Sequence, residues 1–309
     1  MRDEAREILA HYENMVEVEA KRLVRHQLER DMTRRYLETY LPSEGHVLEI
    51  GAATGEYTVW LAKRGYQVTA VDLSSSLIAR CEQRLADAGA TGLVSCFVAD
   101  AQDLSAVPGQ GFDAVLLMGP LYHLTHRENR LKALREAVGR LKPGGAFLSA
   151  LISRLGIMGD LLRNTPAWIE NQEQVRSILE KGHDPEDSEE GRFHGYFVAV
   201  DEIAALHEEA GLETTLIVGV EPAISADDAS YNRLEGKQRQ LWLDLFWELS
   251  REPSLLASSR HLLYIGKKQK PPADPELTCV NVERFRKGEL TSDSVSRSSL
   301  ACSSREPSP

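Results

Sequence analysis

The chain has little of what membrane, secreted or metal-binding proteins usually carry. No apolar run among its 309 residues reaches the roughly 20 residues that a membrane-spanning helix needs. The first ten residues are charged and lack an apolar core, so we predict neither a signal peptide nor a membrane partner. Four cysteines lie scattered without C-x-x-C spacing, which favours reduced thiols and a cytoplasmic location. No metal is predicted, because metal-ligand spacing is missing and His207-Glu208-Glu209 is not H-E-x-x-H.

Positive charge is also scarce. The sequence has 36 Lys and Arg against 47 Asp and Glu, which gives a net charge of −11. Nucleic-acid phosphates are bound by surfaces rich in Lys and Arg, so this balance disfavours a nucleic-acid partner. The hydrophobic content of 42% and the charged content of 27% are ordinary for a soluble globular protein. The length suits one large α/β domain or two small ones, and the oligomeric state stays open.

The most informative stretch is residues 47–57, Val-Leu-Glu-Ile-Gly-Ala-Ala-Thr-Gly-Glu-Tyr. Its first four residues predict a buried strand, and a helical pattern follows from residue 57. Gly51 and Gly55 carry no Cβ, so the backbone between strand and helix can turn sharply and approach a ligand closely. Free N–H groups at the start of the helix favour an acceptor such as a carboxylate.

Two ligand classes compete for this turn. The dinucleotide fingerprint G-x-G-x-x-G would need glycine at the positions of Ala53 and Glu56, and negative charge at Glu49 and Glu56 disfavours a pyrophosphate. A nicotinamide-dependent oxidoreductase, which would bind its dinucleotide at this turn, is the alternative function. The pattern Glu49-x-Gly51-x-Ala53-x-Gly55 resembles motif I of the class I S-adenosylmethionine (SAM) methyltransferases, which usually have glycine where this chain has Ala53.

Two acidic residues end the next two predicted strands. Asp72 closes the strand at 67–71 and lies 21 residues after Gly51, the spacing of a ribose-binding carboxylate in nucleotide-binding α/β folds. The alternative role of Asp72 is the N-cap of a helix at 76–88. Asp100 follows the predicted strand at 94–99.

The resemblance implies a methyl-donor site with SAM as cofactor and S-adenosylhomocysteine as product. The donor-binding residues would be Glu49, Gly51, Ala53, Gly55, Asp72, Leu73, Asp100, Ala101 and Met118. In the family, the acidic residue after the third strand meets the adenine amino group and its neighbour packs on the ring, roles that fall on Asp100 and Ala101. Leu-Lys-Pro-Gly-Gly before the fifth strand, at 141–145, is a further resemblance.

The resemblance implies transfer of the methyl group to a nucleophile of a small-molecule acceptor by in-line displacement, as in a bacterial-type group with Gly-Pro-Leu-Tyr-His-Leu after strand four. Tyr122 and His123 are the candidate catalytic residues if the acceptor must lose a proton early; otherwise His123 belongs to the pocket wall. Arg154 would bind an anionic acceptor or form a surface ion pair. Further candidates for the acceptor wall are Tyr12, His183, His194 and Tyr196.

Strand alternates with helix five times, which predicts an α/β fold with a Rossmann-like, doubly wound, mostly parallel sheet of seven strands. Helices in 4–40 would cover the cofactor, and inserts at about 154–199 and 222–258 would form a helical lid or add to the core. The methyltransferase domain would span 1–268. Prolines and serines predict a disordered tail at 269–309, and a non-catalytic interaction protein with the same fold is a third hypothesis.

Local signals also predict how two helices begin. Thr125-His126-Arg127-Glu128 fits a capping box for a helix at 126–141. Thr165-Pro166 fits the N-cap and first position of a helix at 166–181.

Overall fold

The computed structural model of the chain describes residues 3–13, 15–184, 195–224 and 227–270. Residues 1–269 form one compact unit. His194 and the predicted tail beyond residue 270 lie outside the described residues. Within the described ranges, no helix combines the length and apolarity needed to cross a bilayer.

The described strands form one mostly parallel sheet. They are β1 (His46–Ile50), β2 (Gln67–Asp72), β3 (Val94–Val98), β4 (Phe112–Met118), β5 (Leu141–Ser153), β6 (Phe197–Val198), β7 (Leu212–Gly219) and β8 (His261–Lys268). The order is β3-β2-β1-β4-β5-β8-β7, with β6 beside β5. β8 pairs antiparallel with β5 and with β7, and the other described strand pairs are parallel. The predicted Rossmann-like fold is confirmed, and the two-residue β6 adds to the seven expected strands.

Helices cover both faces of the sheet and its N-terminal side. They are α1 (Asp3–Glu13), α2 (Val16–Ala20), α3 (Arg22–Arg25), α4 (Gln27–Tyr40), α5 (Glu56–Ala62), α6 (Ser75–Asp87), α7 (Pro120–His123), α8 (Arg127–Arg140), α9 (Met158–Asn164), α10 (Gln172–Lys181), α11 (Val200–Glu209), α12 (Asp228–Asn232), α13 (Gly236–Leu249) and α14 (Pro253–Leu256). Short 3-10 turns lie at Thr91–Leu93 and Pro166–Glu170. The one or two helices predicted for residues 4–40 are thus four shorter helices in the described part of that segment.

The core lies on both sides of the sheet because successive strand residues point to opposite faces. In β4, Ala114 and Leu116 pack with α4 and α5, whereas Val115 and Leu117 pack with α8 and α11. All four side chains are buried. Burial on both faces explains why the sequence of β4 is a continuous apolar run rather than an alternating one.

The predicted capping box before α8 is wrong. The helix begins at Arg127 after His126, and the His126 side chain makes no capping hydrogen bond. The hydroxyl of Thr125 instead donates to the Glu4 carboxylate of α1, at 2.8 Å. The Thr125 hydroxyl, which the local pattern assigned to the helix N-terminus, is therefore bonded to a residue distant in sequence.

The predicted helix at 166–181 is divided in two. Thr165-Pro166 starts only the 3-10 turn, which ends before Asn171. The Asn171 side chain then accepts from the Gln174 N–H at 3.1 Å and caps α10. An asparagine that bonds its own following backbone favours a new helix start over continuation of the old helix.

The described parts of the two inserts add to the core. Tyr231 and Phe246 of the second insert are buried beside α4, and Arg35 pairs with Asp244 at 2.7 Å. Ile157 and Ile178 of the first insert pack together on the end of β5. These contacts fit the predicted role as extra core.

Candidate active site

A cavity of about 1050 Å³ opens at the carboxyl ends of β1, β2, β3 and β4. Parallel strands bring these four ends to one edge of the sheet, which is where α/β folds bind their ligands. The floor is formed by the residues at and just after the strand ends. The roof comes from the N-terminal helices, with Ile8, Leu9 and Tyr12 of α1 and Leu23 of α3. The described residues of the two inserts contribute nothing to the lining.

The residues predicted to bind the donor come together in this cavity, with one exception. Those that line it are Glu49, Gly51, Ala53, Asp72, Leu73, Asp100, Ala101 and Met118. Gly55 stands behind the lining, where it precedes α5 with φ of 81°. A Cβ on Gly55 would collide with the Cys81 sulfur, so this glycine lets α5 and α6 pack closely.

Gly51 makes the close turn between β1 and the cavity. Its φ is 81°, and a Cβ would overlap the Met118 carbonyl oxygen and the Pro120 ring. Ala53 also has a positive φ, of 47°, and its N–H donates to Asp72 Oδ2 at 2.8 Å. The turn is thereby tied to the end of β2.

Asp72 is held by two backbone donors. Oδ2 accepts from Ala53, and Oδ1 accepts from the Ser74 N–H at 2.9 Å. Desolvation raises the pKa of Asp72 to about 6, although these hydrogen bonds favour the ionised form. The N-cap of α6 is Ser74, whose hydroxyl accepts from the Leu77 N–H at 3.3 Å. The alternative that Asp72 is the cap is therefore wrong.

Glu49 is the most deeply buried acid of the cavity, with 1% of its surface exposed. The Thr58 hydroxyl donates to its Oε2 at 2.6 Å. Burial raises the pKa of Glu49 to about 8, so the carboxyl group is largely protonated at neutral pH. The sequence suggested a fixed negative charge at Glu49. In the folded protein its ionisation depends instead on the charge of what binds beside it.

Tyr12 and His123 join the roof to the floor. The Tyr12 hydroxyl lies 2.8 Å from His123 Nε2, linking α1 to α7. Burial lowers the pKa of His123 to about 3 and raises the pKa of Tyr12, so a neutral imidazole accepts from the hydroxyl. His123 uses its lone pair in this bond, and burial disfavours its protonated form. This geometry disfavours the general-base role predicted for His123 and leaves it as a wall residue.

Three predicted acceptor residues lie away from the cavity lining. Arg154 pairs with Glu202 at 3.0 Å and donates to the Phe197 carbonyl. The Tyr196 ring lies under the Arg130 guanidinium at 3.4 Å. His183 Nδ1 bonds the neighbouring Asp184 carbonyl oxygen at 2.7 Å. These side chains hold the first insert to α8 and α11 or bond locally, and the acceptor role of Arg154, His183 and Tyr196 stays a prediction.

Comparison with known proteins agrees with this geometry. Residues 47–145 match a family model described as a methyltransferase domain, which spans motif I, both acidic strand ends and the Leu-Lys-Pro-Gly-Gly turn. Residues 47–145 of the chain thus belong to a methyltransferase domain. The match gives no support to a nicotinamide-dependent enzyme.

Relatives of the methyltransferase domain are distant. A putative methyltransferase, YqeM, of Bacillus subtilis is 27% identical over 119 residues, covering 38% of this chain and 47% of that protein. A ubiquinone biosynthesis O-methyltransferase of Xanthomonas axonopodis is 28% identical over 184 residues, covering 58% and 67%. The chain thus spans about half to two thirds of these curated relatives. A SAM-dependent methyltransferase structure from Methanosarcina mazei has a TM-score of 0.52 at 18% identity, covering 76% of this chain and 98% of that one.

A second cavity of about 360 Å³ adjoins the donor cavity of the methyltransferase domain. The two share Arg22, Tyr57, Met118 and Tyr122 as lining residues. The remaining lining of the second cavity is Glu29, Thr33, Ala150, Val220, His261, Leu262 and Leu263. Sequence analysis missed Arg22, Glu29 and His261, because nothing in their linear spacing marks them as neighbours.

Buried ion pairs border the second cavity. Arg22 Nη1 donates to both oxygens of Glu29, at 2.9 and 2.8 Å. Burial alone would raise the pKa of Glu29, but the positive charge of Arg22 lowers it to about 2. The carboxylate therefore remains ionised at neutral pH.

The same region contains two groups of potential metal ligands. They are His26, Glu221 and Asp228, and Glu29, Glu221 and His261, with the ligand atoms of each group within 4.8 Å of one another. Arg22 already pairs with Glu29, and Arg260 with Glu221. Since guanidinium groups neutralise these carboxylates, the two groups of side chains favour an ion-pair network over a cation site.

Proposed function

We propose that the chain is a SAM-dependent methyltransferase that transfers a methyl group to a small-molecule acceptor and releases S-adenosylhomocysteine. The observation that carries this proposal is the meeting of the glycine turn, Asp72 and Asp100 at one cavity edge. These residues all lie within the part of the chain that matches the methyltransferase family model.

The lining suits a cationic donor. Even without the largely protonated Glu49, carboxyl groups outnumber guanidinium groups along the wall, which contains Glu19, Glu56, Asp72 and Asp100 against Arg22 and Arg84. SAM supplies an electrophilic methyl group carried on a positively charged sulfur. Because Gly51 has no Cβ, the backbone floor stays open to a ligand that lies across it. The residues present therefore fit this cofactor.

Each part of the cavity has a task in this proposal. Asp72, oriented by Ala53 and Ser74, accepts hydrogen bonds from the ribose hydroxyls. Asp100 and Ala101 bind the adenine end, as the family resemblance implies. The α1 roof, fastened by Tyr12 and His123, excludes water, and holding both reactants in line supplies much of the rate.

The second cavity is the proposed acceptor site. It meets the donor cavity at Met118 and Tyr122, so an acceptor there would lie beside the donor. Its lining is mainly apolar, with Met118, Ala150, Val220, Leu262 and Leu263, as is usual for small-molecule sites. The similarity to a ubiquinone biosynthesis O-methyltransferase supports a small ring-bearing acceptor, and the acidic lining makes a nucleic acid a poor fit. We also propose a cytoplasmic location, on the scattered thiols.

Calorimetry with SAM and S-adenosylhomocysteine tests the proposal. Wild-type protein should bind both ligands, and Asp72→Ala should weaken binding by about 1.5–3 kcal/mol, the loss of one charge-assisted hydrogen bond. This corresponds to roughly 10- to 150-fold in Kd. Asp201→Ala, an exposed acid in α11, is the matched control and should leave Kd unchanged.

Two results would remove the proposal. One is the absence of heat with either ligand at millimolar concentration. The other is an Asp72→Ala protein that is folded yet binds like wild type. Binding without turnover of any acceptor would favour the non-catalytic interaction protein instead.

A further inference from the structure

The wall of the second cavity includes a histidine that contacts a buried carboxylate. His261 Nδ1 lies 2.8 Å from Glu221 Oε2, and the His261 backbone N–H donates to the same oxygen at 3.0 Å. Glu221 is 2% exposed. A carboxylate can only accept, so Nδ1 carries the proton of this bond, and in the neutral imidazole Nε2 then has the lone pair. The pair has the orientation that acid–base catalysts use to present Nε2.

The sheet fixes this pair. Glu221 follows β7, His261 begins β8, and the two strands are antiparallel, with Gly219 opposite Leu262. The Val220 N–H also donates to the His261 carbonyl at 3.1 Å, which extends the ladder by one step. The dyad therefore stands on two paired strands, which position a side chain more rigidly than a loop does.

Nε2 of His261 is available to a ligand. The side chain is 12% exposed and belongs to the wall of the second cavity. Among the described residues, every recorded contact of its imidazole is made through Nδ1, to Glu221, Glu29 or Arg260. His123 is the opposite case, because its Nε2 already faces the Tyr12 hydroxyl. The base role that the sequence suggested for His123 thus suits His261 better.

We propose that His261, oriented by Glu221, is the general base of the acceptor site, and that the acceptor is a small aromatic compound with a ring hydroxyl. This inference rests on the proposed methyltransferase function. In the step, the hydroxyl oxygen forms its new bond to the methyl carbon with a lone pair. The C–S bond breaks with its electron pair left on sulfur, and the O–H proton passes to Nε2 of His261.

The wall of the second cavity supports this class of acceptor. Met118, Ala150, Val220, Leu262 and Leu263 are apolar, and Tyr57 and Tyr122 line both cavities. Arg22, which also lines both cavities, is already paired with Glu29. An aromatic ring with a hydroxyl group can contact both the apolar wall and the base.

The experiment compares two probes, catechol and 4-nitrocatechol. The nitro group makes the second probe acidic enough to be ionised at the assay pH, so its methylation needs no base. His261→Asn should lower kcat on catechol by about 10²- to 10⁴-fold, the range of general-base catalysis. On 4-nitrocatechol the loss should be less than about tenfold. Glu221→Gln, which keeps the size of the side chain, should show the same split, and added imidazole should partly restore His261→Ala.

Controls separate this inference from the proposed function. SAM binding is measured first for every variant, and it should match wild type for His261→Asn. His126→Asn, an exposed histidine before α8, should leave turnover of both probes unchanged. A wild-type protein that fails to bind SAM refutes the proposed function itself.

Three outcomes would overturn the inference alone. Wild-type protein that binds SAM but methylates neither probe would exclude the phenol class. Equal losses on both probes in His261→Asn would show a structural role rather than a base. Loss of activity on chelation, with recovery on adding Zn²⁺, would assign Glu29, Glu221 and His261 to a metal.

Discussion

Ala53 shows how a single residue departs from its motif. It adopts φ of 47°, where an L-residue with a Cβ costs roughly 1–2 kcal/mol relative to the right-handed region. The hydrogen bond from its N–H to Asp72 offsets part of that cost. The sequence predicted the turn and both glycines, since Cβ-free positions at a strand end carry a strong signal. It could not predict the strain, because the φ of Ala53 is imposed by Asp72 from another strand.

Glu49 gives the clearest prediction at the scale of one residue. Its folded pKa of about 8 lies above the unfolded value near 4.5, so the folded protein holds a proton that the unfolded chain releases. That contribution to stability is present below about pH 4.5 and is lost as the pH rises toward 8. Glu49→Gln removes the titration, so its free energy of unfolding relative to wild type should increase between pH 5 and pH 8, by on the order of 3 kcal/mol.

Urea denaturation of the unliganded protein at the two pH values measures this difference. Glu170→Gln, at an exposed acid in the 3-10 turn, serves as the control and should show no such trend. A Glu49→Gln curve parallel to wild type between pH 5 and pH 8 would mean that Glu49 is ionised in the folded protein.

At the scale of elements, α1 is a roof fastened at two points. Tyr12 bonds His123 at one end, and at the other the Glu4 carboxylate accepts from the Thr125 hydroxyl and, at 2.6 Å, from the Asn129 amide. Strands were predicted more accurately than helix ends. The strand expected at 67–71 is β2, Gln67–Asp72, because a run of residues buried on both faces is a local signal. The Thr125 hydroxyl was assigned to a cap because Glu4 is distant in sequence.

Tyr12→Phe should loosen this roof. The substitution removes the hydrogen bond between Tyr12 and the buried His123, which costs about 0.5–1.5 kcal/mol. We expect backbone amides of α1 to exchange faster with solvent and SAM to dissociate roughly 2- to 13-fold faster, because closure over the ligand is weaker. Hydrogen-exchange mass spectrometry of residues 3–13 and stopped-flow displacement by S-adenosylhomocysteine measure the two effects.

Tyr40→Phe removes a hydroxyl from α4, away from both cavities, and should change neither quantity. If Tyr12→Phe behaves like Tyr40→Phe, α1 is held by its apolar contacts and the bond to His123 has no closing role.

At the scale of the whole molecule, the second cavity depends on charges gathered from most of the chain. Arg22 and Glu29 come from the N-terminal helices, whereas Glu221 and Arg260 flank β7 and β8. The sequence predicted the donor edge because its residues follow consecutive strands, so that order along the chain gives order in space. No comparable rule relates α3 to β8. Their meeting is set by how α4 packs over the sheet, which is why His261 was not predicted.

Arg260 lies at the centre of this group of charged residues, and its substitution supports a prediction about global stability. Its side chain is 4% exposed and pairs with Asp160 at 2.7 Å, with Glu221, and with Asp228 at 3.5 Å. It thereby joins α9, the segment after β7 and α12. Arg260→Met keeps an unbranched chain but leaves these carboxylates without their cation, so the free energy of unfolding should fall by about 3–5 kcal/mol.

Urea denaturation checks this value against Arg135→Met, which breaks the solvent-exposed pair with Glu209 and should cost less than about 1 kcal/mol. High salt should shrink the small Arg135 effect while leaving most of the Arg260 effect, because buried charges are poorly screened. Arg260 does not line the cavity proposed to bind SAM, so the SAM affinity of folded Arg260→Met should stay near that of wild type. Equal losses in the two variants would mean that solvent reaches the Arg260 network and that the second cavity is not the desolvated site its ion pairs indicate.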